Sequence, residues 1–235
     1  LPAAVYTPEA ILKAFPFDKK KRRSNGTFKP DFDDVLTDVT VPVVYRTFMP
    51  GASPAAFAVA LPGNQFYCWD AGECRLRYVW SKGGFIRGNQ VHWSSNGKPV
   101  AQFNGIPYYR ARSSLLKPED YQYLAESGRR TPFYDTTEAV DFPILIEGVN
   151  ESPKFKGYRL VRGFPEFRYQ LGKYEIRELI TMAEGRKGIT RRFFMEPEAP
   201  ITFRLTPDDA ALVSTSAGVI QKDGGFKLTA KQAME

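Results

Sequence analysis

Two cysteines separated by five residues are the first candidates for chemistry in this chain. Cys68 and Cys74 lie in the stretch YCWDAGECRLRYVW, residues 67–80, and they are the only cysteines among 235 residues. Their C-x5-C spacing is neither the C-x-x-C of thioredoxin-like redox centres nor the C-x-x-C-H that attaches c-type haem. A structural zinc site needs four ligands, and the single histidine, His92, adds only one to the two thiols. We therefore expect no metal site and no cofactor.

A β-hairpin would bring the two cysteines together. The segment around Ala71 and Gly72 has the composition of a turn, so the strands on either side should pair antiparallel. Residues that face each other in such a pair have Cα atoms about 4.5–5.5 Å apart, which a disulfide tolerates. We predict a cross-strand disulfide, which would require an oxidising compartment; two separate reduced thiols are the alternative. After the turn, alternation predicts one shared strand face for four residues: Cys74, Leu76, Tyr78 and Trp80.

Carboxylates are the second group of residues that could do chemistry, as catalytic acids or bases. The first of them is Glu178 in KYEIRELITM. A buried carboxylate must be either paired or protonated, and a protonated carboxylate is what a general acid needs. The alternatives are that Glu178 pairs with an arginine such as Arg159 or Arg168, or that a bulge turns it outward. Glu166 and Asp70 could join paired-carboxylate chemistry, although no spacing in the sequence shows that these groups meet. Glu178 is expected to share a strand face with Tyr174, Ile176 and Ile180.

His92 is a further acid–base candidate because it lies next to Trp93 in the loop-like stretch NQVHWSSNG. A lone histidine of this kind is also a common hydrogen-bonded structural residue. The neighbouring serines are not enclosed by a G-x-S-x-G motif, so a serine triad is not predicted.

Aromatic residues concentrate in the first half of the chain and are suited to ligand binding. Rings with a polar tip stack on sugars or on a protein partner, and neighbouring Asp and Arg side chains can hydrogen-bond hydroxyl groups. We expect Tyr78 and Trp80 to point inward and Trp69 and Trp93 to be exposed near turns. The candidate ligand-binding residues are Tyr67, Trp69, Asp70, Arg75, His92 and Trp93.

Short alternating segments separated by turns predict a mainly β protein, an antiparallel and possibly large, multi-stranded β-sandwich. The predicted strands include FPILIEG, FKGYRLV, FPEFRYQL, KYEIRELITM, GITRRFFME, ITFRLT, ALVST, GVIQK and GFKLTAK. Two short helices are expected at residues 7–15 and 117–128. We divide the chain into an N-terminal helix and basic loop, residues 1–40, and one large β-sandwich domain, residues 41–235. Residues 83–140 are expected to form a loop-rich insertion.

Composition limits the classes of partner. The net charge is +7 and residues 19–23 read KKKRR, but the other cations are interleaved with acids and no nucleic-acid-binding motif accompanies them. Nucleic-acid binding is therefore not predicted. The apolar runs are far shorter than the roughly 20 residues that span a bilayer, so no transmembrane segment is predicted. The chain begins LPAAV without methionine, which permits an exported, processed protein.

Several phrases resemble a β-rich region of large exported bacterial proteins. They are FMPG, AVALPG, CWDAGECRLRYVW, GGFI, FKGYRLV, GFPEFRYQL and IRELI, within residues 41–205. In those proteins the region often lies beside a c-type cytochrome domain, sometimes in chains with sugar-dehydrogenase-like modules. The resemblance implies a periplasmic or extracellular location and an association with electron transfer or carbohydrate metabolism. This chain departs from the cytochrome-bearing arrangement because it has no C-x-x-C-H, so covalent haem in these residues is excluded.

The leading functional hypothesis is a non-catalytic exported module that binds carbohydrate or a protein partner in the cell envelope. A carbohydrate-active enzyme that uses buried carboxylates is the first alternative. An electron-transfer docking domain, whose basic surface meets an acidic cytochrome partner, is the second.

Overall fold

The computed structural model describes residues 39–47, 49, 52–87, 102–110, 142–205 and 212–234. Twelve strands lie in this part of the chain. In chain order they are β1 (Val43–Arg46), β2 (Ala56–Leu61), β3 (Gln65–Asp70), β4 (Arg75–Arg87), β5 (Gln102–Arg110), β6 (Ile144–Ile146), β7 (Lys154–Val161), β8 (Phe164–Leu171), β9 (Tyr174–Met182), β10 (Ile189–Phe194), β11 (Ile201–Arg204) and β12 (Gly225–Leu228). A 3-10 turn at Glu184–Arg186 follows β9, and helix α1 (Ala230–Met234) follows β12.

The strands form three sheets in which the paired neighbours run antiparallel. The first sheet has the order β1-β2-β3-β4-β5, the second β10-β9-β8-β7, and the third β12-β11-β6. The first two are meanders, in which each strand pairs with the next along the chain. Tight turns explain this order: Arg162 and Gly163, which join β7 to β8, have φ angles of 51° and 84°, the backbone of a two-residue hairpin turn.

The main core lies between the first and second sheets. Alternate residues of β2, β3 and β4 meet alternate residues of β8 and β9, and Ile144, Ile146 and Ile201 of the third sheet close one side. Trp69 of β3 stacks on Phe167 of β8 with ring centroids 4.0 Å apart and an interplanar angle of 4°. The predicted mainly β, antiparallel sandwich is confirmed.

The first sheet is buried on its other face as well. That face carries a second apolar cluster, whose larger members are Met49, Phe66, Tyr78, Trp80 and Phe85. Burial on both faces explains why β2 is the continuous apolar run AFAVAL, with every residue buried, where a half-exposed strand would alternate. The prediction that Tyr78 and Trp80 point inward is confirmed.

Several predictions on the strands and helices differ from the structure or lie outside it. The expected loop-rich insertion at 83–140 contains a strand, β5. Gly105 and Pro107 of β5 are uncommon in strands, so the sequence did not predict it. A proline is tolerated in β5 because, in the described part of the chain, this strand is at the edge of the first sheet. The predicted strands ALVST and GVIQK are wrong for their described residues, which form turns and irregular backbone. Both predicted helices, residues 7–15 and 117–128, lie outside the described residues. Within the described residues, no helix is long and apolar enough to span a bilayer.

Candidate functional site

The predicted disulfide between Cys68 and Cys74 is wrong, since both cysteines are free and buried. Cys68 packs with Phe66, Tyr78 and Trp80 on one face of the first sheet, whereas Cys74 belongs to the main core on the other face. Thiols on opposite faces of a sheet cannot be bridged without moving the backbone.

A β-bulge separates the two cysteines. Cys68 lies opposite Tyr78 but Trp69 lies opposite Leu76, so Arg77 is the extra residue on β4. A bulge of this kind reverses the faces that simple alternation assigns beyond it. The predicted shared face of Cys74, Leu76, Tyr78 and Trp80 is therefore wrong, because the first two face the main core and the last two face the second cluster.

The two thiols are expected to be inert in the folded protein. Burial, and then the charges of Asp70 and Glu178, raise the pKa of Cys74 to about 12; burial also raises the pKa of Cys68. The folded protein keeps the thiol of Cys74 protonated. Its contribution to the free energy of unfolding is therefore complete below the pKa of an unfolded thiol, about 8.5, and is lost as the pH rises toward about 12.

At about pH 8 we expect iodoacetamide to label neither cysteine in the native protein, and to label both in guanidinium without reductant. Mass spectrometry measures the labelling. If labelling in guanidinium occurred only after a reductant was added, the two cysteines would be in a disulfide and the free thiols would be contradicted.

Trp69, expected at the surface, is fully buried, so that prediction is wrong. Its Nε1–H donates a hydrogen bond to Glu178 Oε2 at 3.1 Å, across the interface between the first and second sheets. Tyr67, another predicted ligand-binding residue, is also fully buried in the main core. These two rings therefore do not offer a face on which a sugar could stack.

Glu178 lies on the inner face of β9 with Tyr174, Ile176 and Ile180, as predicted, and it is fully buried. Its partner is neither Arg159 nor Arg168 but Arg191 of β10, whose Nε lies 2.6 Å from Oε1. Burial lowers the pKa of Arg191, but the Glu178 carboxylate and other neighbours outweigh it, and the net shift is upward. Both carboxylate oxygens of Glu178 therefore accept from positioned donors.

Two tyrosines border this buried ion pair. Burial, and then the charge of Glu178, raise the pKa values of both Tyr67 and Tyr169 well above that of a free phenol. Both phenols are therefore neutral near neutral pH. Together with Trp69, Glu178 and Arg191, they make the inner polar centre, in which the Glu178 carboxylate accepts hydrogen bonds and ties β3, β9 and β10 together.

Asp70 anchors the turn between β3 and β4. Its Oδ2 accepts from the backbone N–H of Ser53 at 2.6 Å, and its Oδ1 accepts from the Ser53 hydroxyl and from the backbone N–H of Gly72 at 2.9 Å. Gly72 is needed there, since a Cβ would lie 2.4 Å from Ser53 Oγ. A carboxylate that holds three donors in place is a structural group.

Arg75, the fourth predicted ligand-binding residue placed by the structure, is nearly buried beside Arg77. Both arginines reach Glu73 Oε2, with N···O distances of 2.6 Å for Arg75 Nη2 and 2.8 Å for Arg77 Nη1. Burial lowers the pKa of Arg75, and the charge of Arg77 lowers it further. This cluster is separate from the inner polar centre, because it lies by the turn that Asp70 anchors.

Glu166 lies on the outward face of β8, away from the main core. Its Oε1 is 2.6 Å from Arg159 Nε, and its Oε2 is 3.9 Å from Arg177 Nη1. The side chain of Glu166 is only 3% exposed, whereas those of Arg159 and Arg177 are 56% and 39% exposed. The two arginines thus lie outside the carboxylate, and the surface that they present is cationic.

The outward side of the second sheet carries four arginines in two neighbouring rows. One row runs Arg159, Glu166, Leu179, Arg192 across β7 to β10, and the next runs Gly157, Arg168, Arg177, Phe194. We call Arg159, Arg168, Arg177 and Arg192 the arginine face. Lys154 and Glu175 lie in the row beyond, each paired with Gln170 of β8.

Phe194 gives the arginine face an apolar border. The guanidinium of Arg177 lies over its ring, 5.1 Å from the centroid, and the ring is itself 39% exposed. A guanidinium on an aromatic ring keeps its N–H edge free for a ligand while its flat side is covered.

The predicted site residues therefore do not form one site. Tyr67, Trp69 and Glu178 meet in the inner polar centre, Asp70 and Arg75 lie by the β3–β4 turn, and Glu166 lies on the arginine face; His92 and Trp93 are outside the described residues. Sequence reasoning missed Arg191 and the arginine face. The available signal for the face was one outward-facing arginine on each of four consecutive strands.

Among the residues described, no group of three or more His, Cys, Asp or Glu side chains is placed to hold a metal ion. Comparisons with protein-family models, with curated proteins and with solved structures find no match to this chain.

Proposed function

We propose that this protein is a non-catalytic binding module that docks an acidic partner protein through its arginine face. The observation that carries the proposal is the alignment of four arginines on one side of the four-stranded second sheet, with Lys154 beside them. In the described rows of that side, the acidic residues are Glu166 and Glu175. Guanidinium groups bind carboxylates in a bidentate, oriented manner. A cationic face of this kind also steers an acidic partner during encounter.

The hydrogen-bond partners and the burial of the carboxylates support the proposal that the module is non-catalytic. Glu178 is held by Arg191 and Trp69, Asp70 by Ser53 and Gly72, and Glu166 by Arg159. All three carboxylates are also buried, so none of them is presented to a substrate at the surface. The enzyme alternative has less support than docking.

A carbohydrate ligand also has less support than an acidic protein. Neutral sugars are usually recognised by exposed rings, and Tyr67 and Trp69 are buried. An acidic polysaccharide would also match the positive charge of the arginine face. Comparing heparin with poly-L-glutamate distinguishes a polysaccharide ligand from an acidic protein.

We further propose that the protein is exported and that its partner belongs to the cell envelope, with a c-type cytochrome as the candidate class. The sequence resemblance alone supports this, since the disulfide that would have indicated an oxidising compartment is not formed between Cys68 and Cys74. Fractionation of the native host with an antibody tests it, and recovery in the cytoplasmic fraction alone would contradict it.

Binding to labelled poly-L-glutamate, a surrogate for an acidic protein surface, should depend on salt and on the arginine face. Between about 0.02 M and about 0.3 M salt we expect the affinity to fall at least about tenfold, because surface charges are screened. The triple change Arg159→Gln, Arg168→Gln and Arg192→Gln should remove most of the binding. Fluorescence anisotropy is the measurement.

The matched control removes the same net charge from other exposed positions, by Arg46→Gln, Lys222→Gln and Lys227→Gln. It should retain most of the affinity. Equal loss in both triple variants would show attraction by net charge alone and would contradict a docking face. Heparin and dextran, tested in parallel, report acidic and neutral polysaccharide binding, and a preference for either over poly-L-glutamate would also contradict the proposal.

A further inference from the structure

Arg168 and Arg177 are directly opposite each other on the outward face of the second sheet. Arg168 lies on β8 and Arg177 on β9, and they are Cα partners in the register of that pair. Like charges at opposed positions of antiparallel strands destabilise a sheet. An anion that binds both guanidinium groups would therefore offset part of their repulsion.

The hydrogen-bonding capacity of the two side chains is only partly used. Arg168 Nη2 contacts both oxygens of Glu175, at 3.3 Å and 3.2 Å. Its Nε is buried and has no hydrogen-bond partner among the described residues. In the part of the chain that the structure describes, Arg177 has the 3.9 Å ion pair with Glu166 and the ring of Phe194. That ion-pair distance is beyond a hydrogen bond.

Glu175 and Glu166 each pair with one member of the arginine pair, Glu175 with Arg168 and Glu166 with Arg177. Glu175 binds Arg168 from the neighbouring row, and Glu166 is committed to Arg159 at 2.6 Å while it only approaches Arg177. Each arginine is thus drawn toward a carboxylate of the protein's own chain. A carboxylate supplied from outside would compete with these two internal ones.

We propose that Arg168 and Arg177 form a clamp that grips one carboxylate side chain of the acidic partner protein. This inference rests on the proposed docking function and names the anchor within the arginine face. The partner is a protein and not a small anion because further cations surround the clamp. Arg159, Arg192 and Lys154 occupy the rows on either side, so the cationic area spans about 14 Å across four strands and suits a surface with several carboxylates.

A double-mutant cycle tests the clamp, with labelled poly-L-glutamate as the probe. Arg168→Gln and Arg177→Gln should each lower the affinity several-fold, and the double variant should lose less than the product of the two single losses, because both arginines hold the same carboxylate. Arg159→Gln and Arg192→Gln belong to the same face and remove the same charge. Each of these two variants should lose less affinity than the Arg168 and Arg177 variants. The loss in the Arg159/Arg192 double variant should equal the product of the two single losses.

Glu166 supplies a variant that moves the affinity in the opposite direction. Glu166→Gln removes the internal competitor of Arg177 and should raise the affinity for poly-L-glutamate about two- to fivefold. Circular dichroism confirms that each variant is folded. An unchanged affinity in a folded Glu166→Gln protein would contradict the proposed competition at the clamp.

The failure of the clamp and the failure of the docking function give different results. If the wild type binds poly-L-glutamate but the Arg168/Arg177 cycle behaves like the Arg159/Arg192 cycle, the face docks acidic proteins and the clamp is wrong. If neither the wild type nor the triple control Arg46→Gln, Lys222→Gln and Lys227→Gln binds, the docking function is wrong and the clamp with it. Competition by inorganic phosphate at far lower concentration than by acetate would overturn the carboxylate as the ligand.

Discussion

Replacing Trp69 with alanine is expected to lower the free energy of unfolding by about 3–5 kcal/mol. The indole is fully buried between the first and second sheets and stacks on Phe167 at 4.0 Å. Its loss would leave a cavity in the main core and would also leave Glu178 Oε2 without the donor that Trp69 provides. Urea unfolding followed by circular dichroism measures the change.

Trp69→Phe separates the two contributions to that loss. It keeps an aromatic ring next to Phe167 but removes the N–H group, so we expect a smaller decrease, about 1–3 kcal/mol. If Trp69→Ala left the unfolding free energy within about 0.5 kcal/mol of the wild type, as is usual for exposed positions, the ring would be at the surface and the described packing would be contradicted.

Replacing Glu178 with leucine is expected to destabilise the protein by about 3 kcal/mol, the lower end of the range for breaking a buried ion pair. Glu178 is fully buried and its partner Arg191 would remain as a cation without its carboxylate. We take the lower end because the Arg191 side chain is 20% exposed, and water can stabilise part of its charge. The same urea titration gives the value.

The double variant Glu178→Leu, Arg191→Met should recover much of this loss, because an apolar pair of similar volume removes both charges together. Glu175→Leu, which breaks the exposed ion pair with Arg168 on the other side of the same strand, should change stability by less than about 1 kcal/mol. Losses that simply add in the double variant would show that Glu178 and Arg191 act independently, against the described contact.

Much of the second sheet could be predicted from local sequence. The stretch FPEFRYQL was predicted as a strand and is β8, Phe164–Leu171, and alternation correctly placed Glu178 on the buried face of β9. These features depend on side chains that alternate every second residue and on turn residues such as Gly163, both properties of a few consecutive residues. The antiparallel sandwich followed from them, since short strands with tight turns pair with their neighbours.

The functional residues could not be predicted in the same way, because their surroundings come from distant parts of the chain. Only packing of the first sheet on the second shows that Trp69 is buried against Phe167 and bonded to Glu178. The identity of the Glu178 partner depends on the register of β10 beside β9.

The sequence by itself determined the fold class, most strands of the second sheet and the buried side of β9, because each of these depends on neighbouring residues. Only the tertiary structure decided that a bulge at Arg77 places Cys68 and Cys74 on opposite faces. It alone brought Arg168 and Arg177 side by side on one exposed surface. The physical reason is that a bulge, a strand register and a sheet-to-sheet contact are fixed by the summed packing of many distant side chains, whereas alternation is fixed by the backbone of each strand.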